Sequence, residues 1–246
     1  MKKIYKYAEL TASEFDSIIK KCPVIFVPTG LLEWHGNHLP LGFDALKAEA
    51  ICTQIAKKTG GIILPLNYFG TAGLGTFAGT LIFKKETIRS LFHELFAQLE
   101  KVGAKIIVMI TGHYGDYQVE LVKQVSSAYM KKSAIKIIAQ PEYEDIFLAD
   151  GSQPADHADK WETSFGLALM PHLVKMKNFK PGKCPIQKYN PKYTIPEYRK
   201  MESGDWIWRS DLRKTASASL GKKYVKKIVD NVASKIEKIK KQMKLS

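Results

Sequence analysis

The chain has 246 residues, with 38 Lys+Arg against 24 Asp+Glu, a net charge of +14 and a pI near 9.5. That length suits one large α/β domain or two small ones. The 45% apolar and 11% aromatic content excludes a disordered chain, and no run reaches the ~18 apolar residues that a membrane span needs.

In chain order, Thr11-Ala-Ser-Glu14 reads as a capping box that opens a helix to about Lys20. Val24–Val27 is a short apolar run ended by Pro28-Thr-Gly30 and predicts a strand covered on both faces. Asp44 to Lys58 has a helical pattern stopped by Gly60-Gly61, and Ile62–Leu64 is a second buried strand. A glycine-rich loop, Gly70 to Gly79, leads to a helix over Glu86 to Val102. The third strand is Ile106–Ile110, followed by a helix from Val119 to Lys131 and a fourth strand at Ile135–Ala139. The spacing of Val225, Ile228, Val229, Val232, Ile236, Ile239 and Met243 predicts a terminal helix, its apolar stripe on the body and its lysines in solvent.

Buried strands alternating with helices imply parallel βαβ units, with helices on both faces of one sheet. In such sheets sites form beyond the carboxyl ends of the strands. Two strand ends carry metal-competent residues. After the first strand, Glu33 and His35 stand two apart, so an extended backbone points both to one side. Asp44 opens the next helix, and His113 follows the third strand directly. Imidazole with carboxylates suits Zn²⁺, Mn²⁺ or Fe²⁺. His38 reads as a loop hydrogen-bonder, and His93 and His172 as structural or surface residues. Cys22, Cys52 and Cys184 lie at unrelated spacings that fit neither a disulfide framework nor a thiolate zinc site; they point to a reducing cytoplasm. The start MKKIYKYAEL has no long apolar stretch, so no signal peptide is read there.

The run Val27-Pro-Thr-Gly-Leu-Leu-Glu-Trp-His-Gly-Asn-His-Leu-Pro-Leu-Gly-Phe-Asp44 resembles the signature of the creatininase (creatinine amidohydrolase) family. Phe77-Ala-Gly-Thr80, Thr111-Gly-His-Tyr-Gly-Asp116, His157-Ala-Asp-Lys-Trp-Glu-Thr-Ser164 and Ala216-Ser-Ala-Ser-Leu-Gly-Lys222 resemble further family elements in the same order. The resemblance implies a three-layer αβα sandwich with a mostly parallel central sheet, one domain over 1–246, and a homo-oligomer, often a hexamer. It implies two divalent ions (Zn, Mn or Fe), one held by Glu33, Asp44 and His113, the other by His35, the shared Asp44 and a further carboxylate. The family glutamate two residues after the loop histidine is Gly115 here, so Glu162 is the expected replacement, with Asp116 in reserve. The implied chemistry is amide-type C–N hydrolysis by a metal-bridging hydroxide, with His157 as general acid/base near its ordinary pKa and Glu162 beside it. Thr80, Tyr114 and Trp161 are the expected substrate contacts, the two rings being able to stack on a flat ligand. Small cyclic amides and formamides are the first substrates to consider; a keto-sugar or inositol-type ring, or a modified peptide, is the alternative.

The charge is confined to one part of the chain. Residues up to Val174 hold 18 bases and 18 acids, and the remainder holds 20 against 6. The surplus falls on an aromatic and basic excursion at 180–214 and on the C-terminal amphipathic helix at 215–246. Within the excursion Lys188, Tyr189, Lys192, Tyr193, Tyr198, Arg199, Lys200, Trp206, Trp208 and Arg209 interleave bases with rings, a mixture that can grip nucleic acid. The preferred reading is a pocket lid or subunit interface, with a small-molecule substrate and no nucleic acid or membrane partner. If the excursion closes over the pocket, its charge favours an anionic substrate.

Overall fold

The computed structural model describes residues 2–184 and 206–245. Five strands form one sheet: β1 (Tyr5–Lys6), β2 (Val24–Thr29), β3 (Ile62–Ile63), β4 (Ile106–Thr111) and β5 (Lys136–Pro141), in the order β1-β3-β2-β4-β5. Every pairing is parallel. The helices are α1 (Ala12–Lys21), α2 (Phe43–Thr59), α3 (Lys85–Lys101), α4 (Asp116–Met130), α5 (Lys160–Leu169), α6 (Leu212–Thr215) and α7 (Ala218–Gln242).

Alternation along the strands separates the two layers. Val24, Phe26, Ile106, Val108 and Ile110 face a core shared with α2, α5 and α7. Ile25, Val27, Ile107 and Met109 face the opposite core with α1, α3 and α4. Each wholly buried large apolar side chain contributes about 1.5–3 kcal/mol relative to exposure. The result is the three-layer αβα sandwich expected from the sequence.

The predicted elements are all present, with small shifts at their ends. Thr11 caps α1, with both halves of the capping box formed. β2 runs two residues past the predicted stop, through Pro28. The Pro28 carbonyl accepts from Asn67 N at 3.2 Å, on the side where β3 has already ended at Ile63, so its missing N–H costs no ladder bond. The short pairs β1 and β6 (Lys183–Cys184) with β7 (Trp206–Ile207) are too brief to show periodicity. One lysine of the terminal helix turns inward against expectation: Lys240 is buried, and its Nζ donates to the Thr59 carbonyl at 2.6 Å, capping the end of α2. No disulfide joins the three cysteines. No helix among the described residues is long and apolar enough to cross a membrane.

The chain leaves β2 for β3 on one side, then crosses to β4 on the other. The order therefore reverses between β2 and β4, and a crevice opens beyond their carboxyl ends. The loops after β2 and β4 both empty into it.

Candidate metal centre

The loop after β2 supplies the first two groups. Glu33 and His35 are buried and point one way, while Trp34 between them points the other, into an aromatic cluster. Trp34 stacks on Trp208 at 6.0 Å and 19° and meets Phe77 and Trp206 edge-on. Its backbone N–H donates to Thr80 Oγ1 at 3.0 Å, and its carbonyl accepts from His157 Nε2 at 2.8 Å. The Trp34 ring thus anchors the step that aims Glu33 and His35.

Asp44 stands in the first turn of α2, where the helix dipole favours a carboxylate. His113 comes from the loop between β4 and α4, and Glu162 from the first turn of α5. His113 Nδ1 lies 3.0 Å from Glu33 Oε2 and 3.3 Å from Asp44 Oδ2. His35 Nε2 lies 3.0 Å from Asp44 Oδ1 and 3.3 Å from Glu162 Oε2. Three groups could hold an ion, Glu33–Asp44–His113, His35–Asp44–Glu162 and Glu33–His35–His157, each with its donor atoms within 4.8 Å of one another. Asp44 belongs to the first two, whose members are all buried.

The donors suit cations. Glu33 Oε2, His35 Nε2 and Asp44 Oδ2 are buried and make no hydrogen bond, a costly arrangement unless an ion takes up their lone pairs. His35 Nδ1 lies 3.0 Å from the Glu33 carbonyl, so Nδ1 carries the proton and Nε2 the lone pair. Imidazole and carboxylate oxygen without thiolate fit Zn²⁺, Mn²⁺ or Fe²⁺.

The electrostatics favour positive charge at the same place. Burial opposes protonation of His113, yet Glu33 and Asp44 raise its pKa from 6.5 to about 10. Burial likewise opposes a charged His35, but Asp44 and Glu162 hold its pKa well above 6.5. Asp44 is held well below the carboxylate range: burial works against its charge, and His35 and His113 outweigh it. For Glu162 burial is overcome first by Lys47 and then by His35, bringing it from 4.5 to about 2.

His157 borders this cluster with a side chain 25% exposed, its Nδ1 3.8 Å from Glu33 Oε2 and its ring 4.5 Å from that of His35. Burial lowers its pKa below 6.5. The burial thus favours the neutral imidazole. Its Nε2–H donates to Trp34, which leaves the Nδ1 lone pair toward the site. A cavity of about 380 Å³ opens over the cluster, walled by Leu74, Tyr114, Ala155, Asp156 and Trp206. Asp156 caps α5 through Trp161 N and Glu162 N, and burial followed by the charge of Glu162 raises it to about 7.

Other expected site residues fall elsewhere. Tyr114 lines the cavity, but Thr80 and Trp161 do not. The Thr80 hydroxyl is taken by the Trp34 amide. The Trp161 ring packs edge-on against Tyr224 of α7 at 4.9 Å, because the α5 turn carries it into the core. Asp116 is the first residue of α4, and its side chain lies outside the described residues. Of the basic strip, 185–205 also lies outside them. Trp206 meets His157 at 5.3 Å and lines the cavity, while Trp208 is buried behind it against Phe179 and Trp34. No Lys or Arg is among the described residues of that wall. Trp206 belongs to the strip read as a pocket lid or subunit interface, and it lines the cavity; two participants, Glu142 and Lys47, escaped the sequence reading. Lys47 stands one turn beyond Asp44 on the inward face of α2, and that position was its available signal.

The family model described as "Creatininase: Creatinine amidohydrolase" matches residues 8–236. The chain belongs to the creatininase family. Family members are metal-dependent amidohydrolases, and this chain is a metal-dependent hydrolase. Creatinine amidohydrolase of Pseudomonas putida is 26% identical over 201 residues, 72% of this chain and 76% of that protein. The 3-dehydro-scyllo-inosose hydrolase of Thermotoga maritima is 24% identical over 177 residues, 68% of this chain and 57% of the relative. The mycofactocin precursor peptide peptidase of Mycobacterium ulcerans is 26% identical over 185 residues, 71% and 69% of the two chains. A solved manganese creatininase superposes with a TM-score of 0.75 at 22% identity, covering 96% of this chain and 98% of its own. A mutant creatininase of Zn-Zn type does so at 0.71 and 23%, with the same coverage.

Proposed function

We propose that this creatininase-family enzyme is a binuclear metal hydrolase that cleaves a C–N bond of a small cyclic amide or formamide. The sharing of Asp44 between two ligand groups carries the reading, because a common carboxylate brings two cations close enough to act on one substrate atom. Glu33, Asp44 and His113 hold one ion, and His35, Asp44 and Glu162 the other. When bound, the pair supplies Lewis acidity, lowering the pKa of a captured water and polarising a carbonyl oxygen.

The protein does the rest. The Trp34 carbonyl fixes the tautomer of His157, whose free Nδ1 accepts a proton as the bond is attacked and returns it to the leaving nitrogen. Glu162, capped by the Ala158 N–H at 2.7 Å, stays ionised beside it. Trp206 and Tyr114 offer ring faces to a flat substrate, and Leu74 and Ala155 limit its size. No lysine or arginine is among the described residues of the wall, and its carboxylates Glu33, Asp44 and Glu162 are the ones that would offset the charge of two divalent cations, so the wall itself selects no substrate charge.

The reading extends to one domain over 1–246, a cytoplasmic location and a homo-oligomer, hexameric by resemblance. Its test is metal analysis of chelator-free protein followed by turnover on creatinine, formamidopyrimidines, dihydro-ring amides, keto-inositols and a modified peptide. The last two answer to the relatives named for an inosose and a peptide. Two transition ions per chain and release of a C–N product are the expected result; protein that binds no Zn²⁺ or Mn²⁺ sinks it.

A further inference from the structure

Lys47 is wholly buried, yet it does not line the cavity. Its Nζ lies 2.6 Å from Glu162 Oε1, 2.9 Å from Glu142 Oε1 and 2.6 Å from the Tyr114 hydroxyl oxygen. The Tyr114 hydroxyl in turn donates to Glu142 Oε1, and the Tyr114 ring centre is 4.0 Å from the ammonium. A buried ammonium persists only when fixed partners replace its hydration. Here two carboxylates, a phenol and a ring face do so, which makes the group rigid as well as charged.

The carboxylates of the two ligand groups are therefore backed differently. At Glu33 the oxygen turned from the cluster, Oε1, accepts from a neutral amide, Leu74 N, at 2.7 Å. At Glu162 the corresponding oxygen accepts from a full positive charge. Oε2 of Glu162 is the atom 3.3 Å from His35 Nε2.

We infer that Lys47, braced by Glu142 and Tyr114, is a positioning residue that occupies Oε1 of Glu162 and leaves the second cation only the remaining lone pair of Oε2, whose other lone pair accepts from Ala158 N at 2.7 Å. This rests on the binuclear reading. A carboxylate clipped at one oxygen offers one ligand atom and keeps a coordination position open for water and substrate. Its electron density, drawn toward the ammonium, binds the second cation more weakly than Glu33 binds the first.

The test titrates metal-free protein with Co²⁺, following binding calorimetrically and by visible absorption, which weakens as the coordination number of cobalt rises. In the charge-neutral double variant Lys47→Met/Glu142→Gln, Glu162 is released to offer both oxygens. The second Co²⁺ is expected to bind roughly tenfold to a hundredfold tighter, the size of one charge-assisted hydrogen bond. Its absorption should weaken, kcat should fall with little change in KM, and the first Co²⁺ should bind as before. Glu142→Gln alone keeps the ammonium but removes its competing carboxylate, so the second Co²⁺ should bind more weakly than in wild type. Opposite shifts in the two variants support the inference, and the single variant stands by itself if the double does not fold. Wild-type affinity and spectrum for the second ion in both variants overturn it. Parallel loss of both ions also does, since that marks Lys47 as a fold element only. Wild type that takes up a single Co²⁺ refutes the binuclear reading and this inference with it.

Discussion

Asp44 lies directly over Gly112: a methyl group on Gly112 would stand 2.1 Å from the Asp44 carbonyl oxygen. The contact is backbone against backbone, so no side-chain rotation relieves it. Glycine beyond β4 is what lets the first turn of α2 settle into the crevice. Gly112→Ala is expected to destabilise the fold by about 1–3 kcal/mol or more and to weaken metal uptake, because Asp44 serves both ligand groups. Thermal unfolding and metal content after dialysis check this; a variant with wild-type melting and metal would show that something else seats Asp44.

Asp44→Ala removes the common ligand directly. Both ions should be lost from chelator-free protein, as read by elemental analysis, while the circular dichroism of the fold persists. Retention of one tightly held ion would mean that the two sites are independent.

His157→Ala should leave metal content intact and lower kcat by about 10²–10⁴-fold, the usual contribution of a positioned proton-transfer group. In wild type the unprotonated imidazole is the working form, and its pKa lies below 6.5. Turnover should therefore fall as pH drops below that value, and the alanine variant should lose this acid limb. Full activity in the variant would remove His157 from the chemistry.

The charge of His113 links pH to stability. Its pKa of about 10 in the metal-free fold exceeds the ordinary 6.5, so the folded state binds the proton more tightly than the unfolded one. The resulting stabilisation is complete below pH 6.5 and is lost as pH rises toward about 10. Metal-free protein should melt at progressively lower temperature across that window. Metal-loaded protein should not, because the ligand nitrogen then carries no proton. A flat profile for the metal-free form would refute the electrostatic account of the cluster.

Much of this centre could be read in the chain because its ligands lie just past strand ends. Glu33, His35 and His113 follow two apolar runs too short to be anything but buried strands, and Asp44 opens a helix with a clear pattern. The topology then brings these ends together. Glu162 is different: among Asp156, Asp159 and Lys160 it has no distinguishing local pattern, and only the family resemblance marks it. Trp161 drew attention by standing near His157 in sequence, but helical rotation in α5 sends its ring to Tyr224. Trp206 takes the place at the cavity from far along the chain, within the aromatic and basic strip read as a pocket lid or subunit interface. Lys47 was passed over for a general reason. A lysine on an amphipathic helix ordinarily faces water, and the partners that make burial tolerable, Glu142 and Glu162, belong to other elements.

α7 donates no ligand, yet both α2 and α5 rest on it. Gly221 lies so close to α5 that a methyl there would stand 2.0 Å from the Ser164 carbonyl, two residues beyond Glu162. A chain truncated before Ala218 would still contain Glu33, His35, Asp44, His113 and Glu162, but would lack the surface that clamps the helices of Asp44 and Glu162 against each other. Carrying the five candidate ligands is therefore not the same as holding them at their working distances, which the packing of α7 against two helices sets.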